Sequence, residues 1–375
     1  MLSFHESLSY GATLQCVALQ RIIRQLGYEP EFIDFQRRKC TDADNSKQTV
    51  NFKERTKDNL IKMAISVQGL LSKRNDINVS RAFEKFKSEH LVVGKHEFSS
   101  MKELYLYQND YSTLVTGSDQ VWNPFSKYLR AYGLGFAGTN VNTVAYAASI
   151  GVSEIPEDRR EYVRENVKNV KYISCREYEG AAALSKLLGR DIPAVLDPTL
   201  LLNKETWVSY ASSQEKKERY VLCFFLGSLE YPRKIARKIA RENRCKLYII
   251  PGSPKDLLSP GDIVKGCGPK EFLNVFLNAD FICTDSFHGT AFCVNLNIPF
   301  YSFCRRGYDE KTSYISRIRD LLETVHLQDR LVFPDSAVGF RIEDIDFTAA
   351  NNALDEERKK SMKFLTNALR DGEQK

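Results

Sequence analysis

The sequence predicts an α/β protein of two units, each a mostly parallel sheet covered by helices. Three observations carry that expectation. Short β-rich runs alternate with helical patterns from Ser112 onward, the rhythm of parallel strands joined by crossover helices. The alternation pauses over a polar helical stretch, Asn203–Arg219, and restarts at Tyr220. A chain of 375 residues also exceeds what one hydrophobic core usually serves.

The elements follow in order. Leu14, Val17, Ala18, Ile22 and Leu26 recur at helical spacing, and Gly27 is a C-terminal stop. Glu31–Phe35 alternates like a strand. Arg37–Ser100 is polar and charged, with helical patterns at Asn59–Leu71 and Ser80–Glu89. Strands are expected at Ser112–Thr116, Thr143–Ala148, Lys171–Cys175 and Ala194–Leu196, with helices at Pro156–Asn169 and from Arg176–Tyr178. After the boundary come strands at Tyr220–Leu226, Lys246–Ile250, Ala279–Thr284 and Pro299–Ser302. Helices are expected at Pro232–Asn243, Pro269–Asn278, Thr290–Leu296, Ser313–Glu323 and Ala353–Leu369. The reading divides the chain into a unit over 1–203 with a helical insertion at about 40–105, a unit over 204–350, and a helix over 351–375 that returns to the first unit.

Composition excludes several classes. The hydrophobic share of 43% is that of a globular protein. Lys and Arg total 54 against 48 Asp and Glu, a surplus of +6 that suits anionic small substrates and is too weak for nucleic acid. Nine cysteines include no C-x-x-C pair, which reads as reduced structural thiols and not as a zinc site or a disulfide framework. No apolar run reaches the ~20 residues of a membrane span, and the first residues lack the layout of a signal peptide, so a cytoplasmic location is expected. The basic stretch Pro232–Arg244 reads either as a solvated helix face or as peripheral contact with the inner face of a membrane. H-E-x-x-H, G-x-S-x-G and P-loop motifs are absent.

Four groups of residues have chemistry to offer. Phe281–Thr290 runs from a strand into a helix, and ligands of open α/β sheets sit at such carboxyl ends. There Gly289, Thr290 and Ala291 would present backbone N–H groups to an anion, Ser286 would lie beside them, and His288 is the proton-transfer candidate with Asp285 to orient it. The plainer alternative makes Asp285 and Ser286 simple helix caps and His288 a packed first-turn residue. Thr116–Pro124 offers Ser118, Asp119, Gln120 and Asn123 for sugar hydroxyls and Trp122 as a stacking platform, or else a strand-end turn with Trp122 in the core. Ser9–Gln15 places Tyr10 and Gly11 before the first helix, without a complete dinucleotide fingerprint. Arg176, Arg305 and Arg306 follow strands, and Arg317 lies on the next helix; guanidinium forks suit phosphate and carboxylate.

In six stretches the chain resembles the polysaccharide pyruvyl transferases: SYGATLQ (Ser9–Gln15), GSDQVWNP (Gly117–Pro124), YAASIG (Tyr146–Gly151), CREYEG (Cys175–Gly180), LDPTLLL (Leu196–Leu202) and TDSFHGTAFCVNLNIPF (Thr284–Phe300). They stand in the family's order. The resemblance implies two Rossmann-like lobes of GT-B type facing a central cleft. It implies transfer of the pyruvyl group of phosphoenolpyruvate to two hydroxyls of a sugar, giving a ketal on a cell-surface polysaccharide, as in capsule or exopolysaccharide, or on its lipid-linked precursor. In that scheme His288 is the acid, with Asp285. Arg176, Ser286, Gly289, Thr290 and Arg305 face the pyruvyl donor. Tyr10, Gly11, Ser118, Asp119, Gln120 and Trp122 face the acceptor. No metal or cofactor is required. Two features depart from the family: Ser286 stands where several branches carry Arg, and only Met1–Phe4 precede His5 where a full first strand is expected. A nucleotide-sugar glycosyltransferase of GT-B type is the alternative function, because one architecture hosts many reactions.

Overall fold

The structure is a computed structural model and describes residues 1–40, 77–213, 218–305 and 315–372. The helical pattern expected at Asn59–Leu71 and the basic residue Arg306 lie outside the described residues.

In the first half the elements are α1 (Tyr10–Gln25), β1 (Phe32–Phe35), α2 (77–90), β2 (Val93–Phe98), α3 (Met101–Tyr107), β3 (Thr113–Thr116), α4 (Leu129–Tyr132) and β4 (Asn142–Ala148). Next come α5 (Glu157–Val167), β5 (Tyr172–Cys175), α6 (Tyr178–Leu188), α7 (Pro198–Leu201) and α8 (Lys204–Tyr210). The second half holds β6 (Tyr220–Phe225), α9 (Glu230–Glu242), β7 (Lys246–Pro251), β8 (Asp262–Ile263), α10 (Pro269–Leu277) and β9 (Phe281–Thr284). It continues with α11 (Phe287–Leu296), β10 (Phe300–Phe303), α12 (Ser316–Thr324), β11 (Leu331–Val332) and α13 (Thr348–Arg370).

Among the described residues every strand pairing is parallel, so this is an α/β fold with parallel sheets. Strands β6 and β9 lie side by side at the centre of a six-stranded sheet of order β11-β10-β9-β6-β7-β8. Both are buried along their whole length, which is why their sequences run continuously apolar instead of alternating. In the first half, β3-β4-β5 form one ladder and β1-β2 another. Met1–Leu2 joins them: Leu2 N donates to Val115 O and Gly117 N to Leu2 O, both at 2.8 Å, while Ile33 N donates to Met1 O at 2.8 Å. Two residues therefore do the hydrogen bonding of a strand between β1 and β3. The expected helical insertion contains α2 and α3 but also β2, whose exposed, charged side chains conceal its strand character.

Three apolar layers hold these sheets. One cluster packs Leu114, Trp122, Ala145 and Val163 on one face of the first sheet. Another packs Val221, Cys223, Ile239 and Phe303 on one face of the second. The largest runs between the two sheets and contains Leu14, Val17, Tyr146, Trp207, Phe272, Phe276 and Phe292. Trp207 of α8 is wholly buried in it, donates from Nε1 to Thr199 O at 2.9 Å, and meets Phe292 edge-on at 5.1 Å. Trp207, within the stretch expected as a boundary, is thus packed into the largest cluster. Helix α13 lies against the first sheet, where Asn142 Nδ2 donates to Ala368 O at 2.8 Å and Leu196 N to Ser361 Oγ at 2.9 Å.

Candidate active site

A crevice of about 420 Å³ opens where the carboxyl ends of β6 and β9 face the start of α1 and the turn after β3. That size falls within the ~300–1,000 Å³ usual for small-molecule sites. Its wall includes Tyr10, Gly11, Asp119, Gln120, Ser286, His288, Arg305 and Arg317, with Leu8, Phe224 and Leu226 on the apolar side.

Helix α11 starts at Phe287, three residues earlier than the pattern from Thr290 suggested. Ser286 is its N-cap in extended conformation, and its Oγ accepts from Gly289 N at 3.3 Å. Thr290 N donates to Ser286 O at 2.9 Å, and the Thr290 hydroxyl lies 2.7 Å from Ser302 Oγ. The expected presentation of Gly289 and Thr290 N–H groups to an anion is therefore corrected, since both are spent within the helix start. Gly289 is glycine for packing, because a Cβ there would stand 2.4 Å from Thr284 Oγ1. The first-turn donors without an intrahelical acceptor are those of Phe287 and His288.

His288 points across to the first sheet. Its Nε2 lies 3.5 Å from Asp197 Oδ2, and its side chain is 12% exposed. On its other side the imidazole lies against Gly11, where a Cβ would come within 2.0 Å of Nδ1. Asp197 is fully enclosed. It caps α7 by accepting from Thr199 N at 2.9 Å and from the Thr199 hydroxyl at 2.7 Å. Ser118 Oγ donates to its Oδ2 at 2.8 Å and Arg176 Nη1 at 3.0 Å. Burial alone would raise this carboxyl, but His288, Arg176 and the Thr199 amide hold it well below the usual carboxylate range. An ionised, fully buried Asp197 thus ties together the ends of β3 and β5 and the starts of α7 and α11.

Asp285 does something else. Its oxygens accept from Leu226 N at 2.7 Å and Gly227 N at 2.8 Å, so it fixes the loop after β6 and does not orient His288. Burial shifts its carboxyl upward. Arg305 stands beside it, with Nε 3.9 Å from Oδ1. Arg176 is enclosed behind the crevice, its guanidinium 4.4 Å from the Phe287 ring. It lines a small cavity of about 30 Å³, room for a single water, together with Asp197, Phe287, Arg317 and Asp320. Its Nε has no hydrogen-bond partner among the described residues.

On the wall formed by the turn after β3, Asp119 adopts φ 77°, and its carbonyl accepts from Ser149 N at 3.0 Å, which turns the chain into the crevice. Gln120 lines the crevice, and its Nε2 is buried without a partner among the described residues. Tyr10 presents its ring only, because its hydroxyl donates to Cys267 O at 2.7 Å and the ring stacks on Phe272 at 4.4 Å. Two expectations are overturned here. Trp122 is wholly buried and donates to Tyr132 O at 2.9 Å, so it is core and not a sugar platform. Ser118 is also buried and supports Asp197 instead of meeting a ligand.

The sequence reading left Asp197 out of the site and named Arg317 only among the guanidinium candidates, outside the assigned donor residues. The signal for Asp197 was the cap-like Asp-Pro-Thr, with Pro at the first helical position. For Arg317 it was a charge set in the buried stripe of Ile315, Ile318 and Leu321. Among the described residues no group of three His, Cys, Asp or Glu is placed to hold a metal, and no helix is long and apolar enough to cross a membrane.

Comparison with known proteins adds one strong finding and two weaker ones. No curated protein matches the chain. A UDP-GlcNAc 2-epimerase from Methanocaldococcus jannaschii superposes with a TM-score of 0.49 at 13% identity, covering 92% of this chain and 89% of that one. A protein from Listeria monocytogenes described as a UDP-N-acetylglucosamine 2-epimerase gives 0.42 at 12% identity, over 77% and 73% of the two chains. The polysaccharide pyruvyl transferase family matches residues 10–303, a span that contains His288, Asp197 and most of the crevice wall, and the chain belongs to that family of transferases.

Proposed function

We propose that this enzyme transfers the pyruvyl group of phosphoenolpyruvate to two hydroxyls of a sugar in a polysaccharide or its lipid-linked precursor. The observation that carries the reading is an imidazole fixed between a buried carboxylate and Gly11, on a wall that also holds Arg305 and Arg317.

The chemistry needs an acid, an anion seat and hydroxyl acceptors. His288, set beside Asp197, gives a proton to the methylene carbon of the donor as one sugar hydroxyl adds to the neighbouring carbon. That carbon then loses phosphate, which departs with the electron pair of its C–O bond. The second hydroxyl closes the ketal, and its proton leaves with the phosphate. One hydroxyl proton thus replaces the one that His288 gave, so the cycle closes without a redox partner. Guanidinium groups hold the anions of the pyruvyl donor. Asp119 and the amide of Gln120 face the sugar.

The test is phosphate release from phosphoenolpyruvate in the presence of an acceptor glycan. His288→Ala should lower turnover by ~10²–10⁴-fold, the usual weight of a general acid, without loss of folding. Wild-type turnover in that variant would remove the acid from the scheme. In thermal-shift titration phosphoenolpyruvate should stabilise the protein, whereas UDP and GDP should not.

A further inference from the structure

We propose that Asp119 is a second catalytic residue, the general base that takes the proton of the sugar hydroxyl as that hydroxyl adds to the pyruvyl donor. This rests on the pyruvyl reading given above and adds to it the group that activates the acceptor.

The reaction needs such a group, because an alcohol that adds to a carbon carries its proton along as an oxonium unless a base removes it. Asp119 is the only carboxylate on the crevice wall among the described residues. The other acidic groups close by are committed elsewhere. Asp197 is enclosed and accepts from Ser118, Thr199 and Arg176, while Asp285 accepts from Leu226 N and Gly227 N. The Tyr10 hydroxyl donates to Cys267 O, and burial pushes it far above its ordinary value. Asp119 itself is half-buried. Its Oδ1 accepts from Gln120 N at 2.8 Å, and its Oδ2 takes part in no hydrogen bond among the described residues.

A firmly anchored turn delivers that carboxylate. Ser118 on one side and Val121 and Trp122 on the other are wholly buried. The Asp119 carbonyl accepts from Val121 N at 2.8 Å and from Ser149 N at 3.0 Å. The backbone at φ 77° is in the left-handed region, which few residues with a Cβ adopt and which recurs at functional sites. Gln120 packs on Gly151, where a Cβ would stand 2.3 Å from its Nε2. The turn after β3 and the start of α11 thus bring a carboxylate and an imidazole to one crevice, from opposite halves of the chain.

The proton count closes. As the hydroxyl oxygen bonds to the carbon that bears phosphate, its O–H bond breaks and the proton passes to Asp119, while His288 gives its own proton to the methylene carbon. A carboxylate, weak as a base toward a free alcohol, serves here because the hydroxyl becomes strongly acidic as the new C–O bond forms. Phosphate then leaves with the electron pair of its C–O bond, and the proton of the second hydroxyl departs with it. Asp119 returns its proton to the imidazole through water.

The experiment measures kcat, acceptor KM and calorimetric binding of phosphoenolpyruvate for the full chain and for Asp119→Asn and Asp119→Ala, with a panel of methyl hexosides as acceptors. The asparagine can still accept from Gln120 N but cannot take a proton. Asp119→Asn is expected to bind phosphoenolpyruvate like the wild type, to keep the acceptor KM, and to lose ~10²–10⁴-fold in kcat. The wild-type fall in kcat toward acid pH, which reports the ionised base, should be absent from that variant. Formate, a free carboxylate, should restore part of the turnover of Asp119→Ala. Full kcat in the folded Asp119→Asn protein, or a loss confined to KM, overturns the base and leaves pyruvyl transfer standing. A wild type that neither binds nor turns over phosphoenolpyruvate removes the pyruvyl reading itself, and the base falls with it.

Discussion

Gly11 offers the sharpest test of the geometry, because a single methyl group there would move the imidazole and little else. A Cβ on residue 11 would stand 2.0 Å from His288 Nδ1, 2.4 Å from Cγ and 2.6 Å from Cε1. Non-bonded heavy atoms settle at roughly 3.5–4.0 Å, so the ring has to withdraw by about 1.5 Å. It cannot do so and keep its present 3.5 Å approach to Asp197. A displacement of ~1 Å in a reacting group costs about 100-fold, equivalent to ~2.7 kcal/mol of barrier. Gly11→Ala should therefore lower kcat/KM for phosphate release by about two orders of magnitude. The fold should survive, since residue 11 lies in the first turn of α1, where alanine is preferred over glycine by up to ~1 kcal/mol and offsets part of the clash. Initial rates of phosphate release and a melting curve on the same preparation measure both terms. A Gly11→Ala enzyme with full activity would show that His288 does not work from this position, and the acid assignment would fail with it.

Two carboxylates give further expectations. Asp197→Asn leaves Arg176 and His288 beside a neutral group in an enclosed site, and loss of one partner of a buried ion pair costs ~3–5 kcal/mol, measurable by urea denaturation together with a fall in turnover. Because the fold depresses the Asp197 carboxyl, its contribution is complete above the unfolded value of about 3.9 and is lost only as the pH falls below that, so the gap between wild type and variant should be constant from pH 5 to 8 and shrink in acid. Asp320 behaves in the opposite sense: burial raises its carboxyl to about 6, so the folded state favours its protonated form and wild-type stability drops as the pH rises from about 4 to about 6. Asp320→Asn, which can still accept from Tyr178 N, should gain in melting temperature over the wild type across that window by the equivalent of ~1 kcal/mol, discounted for partial exposure. An unchanged difference between pH 4 and pH 7 would contradict the placement of that carboxyl.

Much of the fold could be read from local pattern, and the misreadings share one physical cause. Strands β6 and β9 announce themselves as apolar runs because both faces are covered. Strand β2 does not: it borders β1 with Lys95, His96 and Glu97 on its surface, so its pairing owes nothing to side-chain alternation. Met1–Leu2 is too short to show any period, and its strand role comes entirely from the backbones of Val115, Gly117 and Ile33. Helix α11 was placed too late because Gly289 reads as a helix breaker. In the structure that glycine is demanded by Thr284, a contact made across the turn. Trp122 is the converse case. A tryptophan beside polar residues suits a binding loop, yet only the position of the Tyr132 carbonyl decides that the indole turns inward.

The site shows the same limit more clearly. Each motif end was visible by itself, but the division into groups that touch a ligand and groups that hold those groups in place was not. Asp285, adjacent to the turn, looked like the partner of His288 by proximity in sequence. Asp197 takes that part because α7 and α11 start side by side, each opening with an oxygen cap: Asp197 for α7 and Ser286 for α11. The consequence is electrostatic. A helix N-terminus repels a cation, by ~0.3–1 kcal/mol when exposed, and His288 stands in the first turn of α11. A protonated imidazole there would be offset by the enclosed Asp197 carboxylate 3.5 Å away. That carboxylate stays ionised in turn because Ser118, Arg176 and Thr199 surround it. The setting of the His288 imidazole thus depends on residues behind the crevice wall: Ser118 and Arg176 follow strands of the first sheet, and Asp197 caps α7.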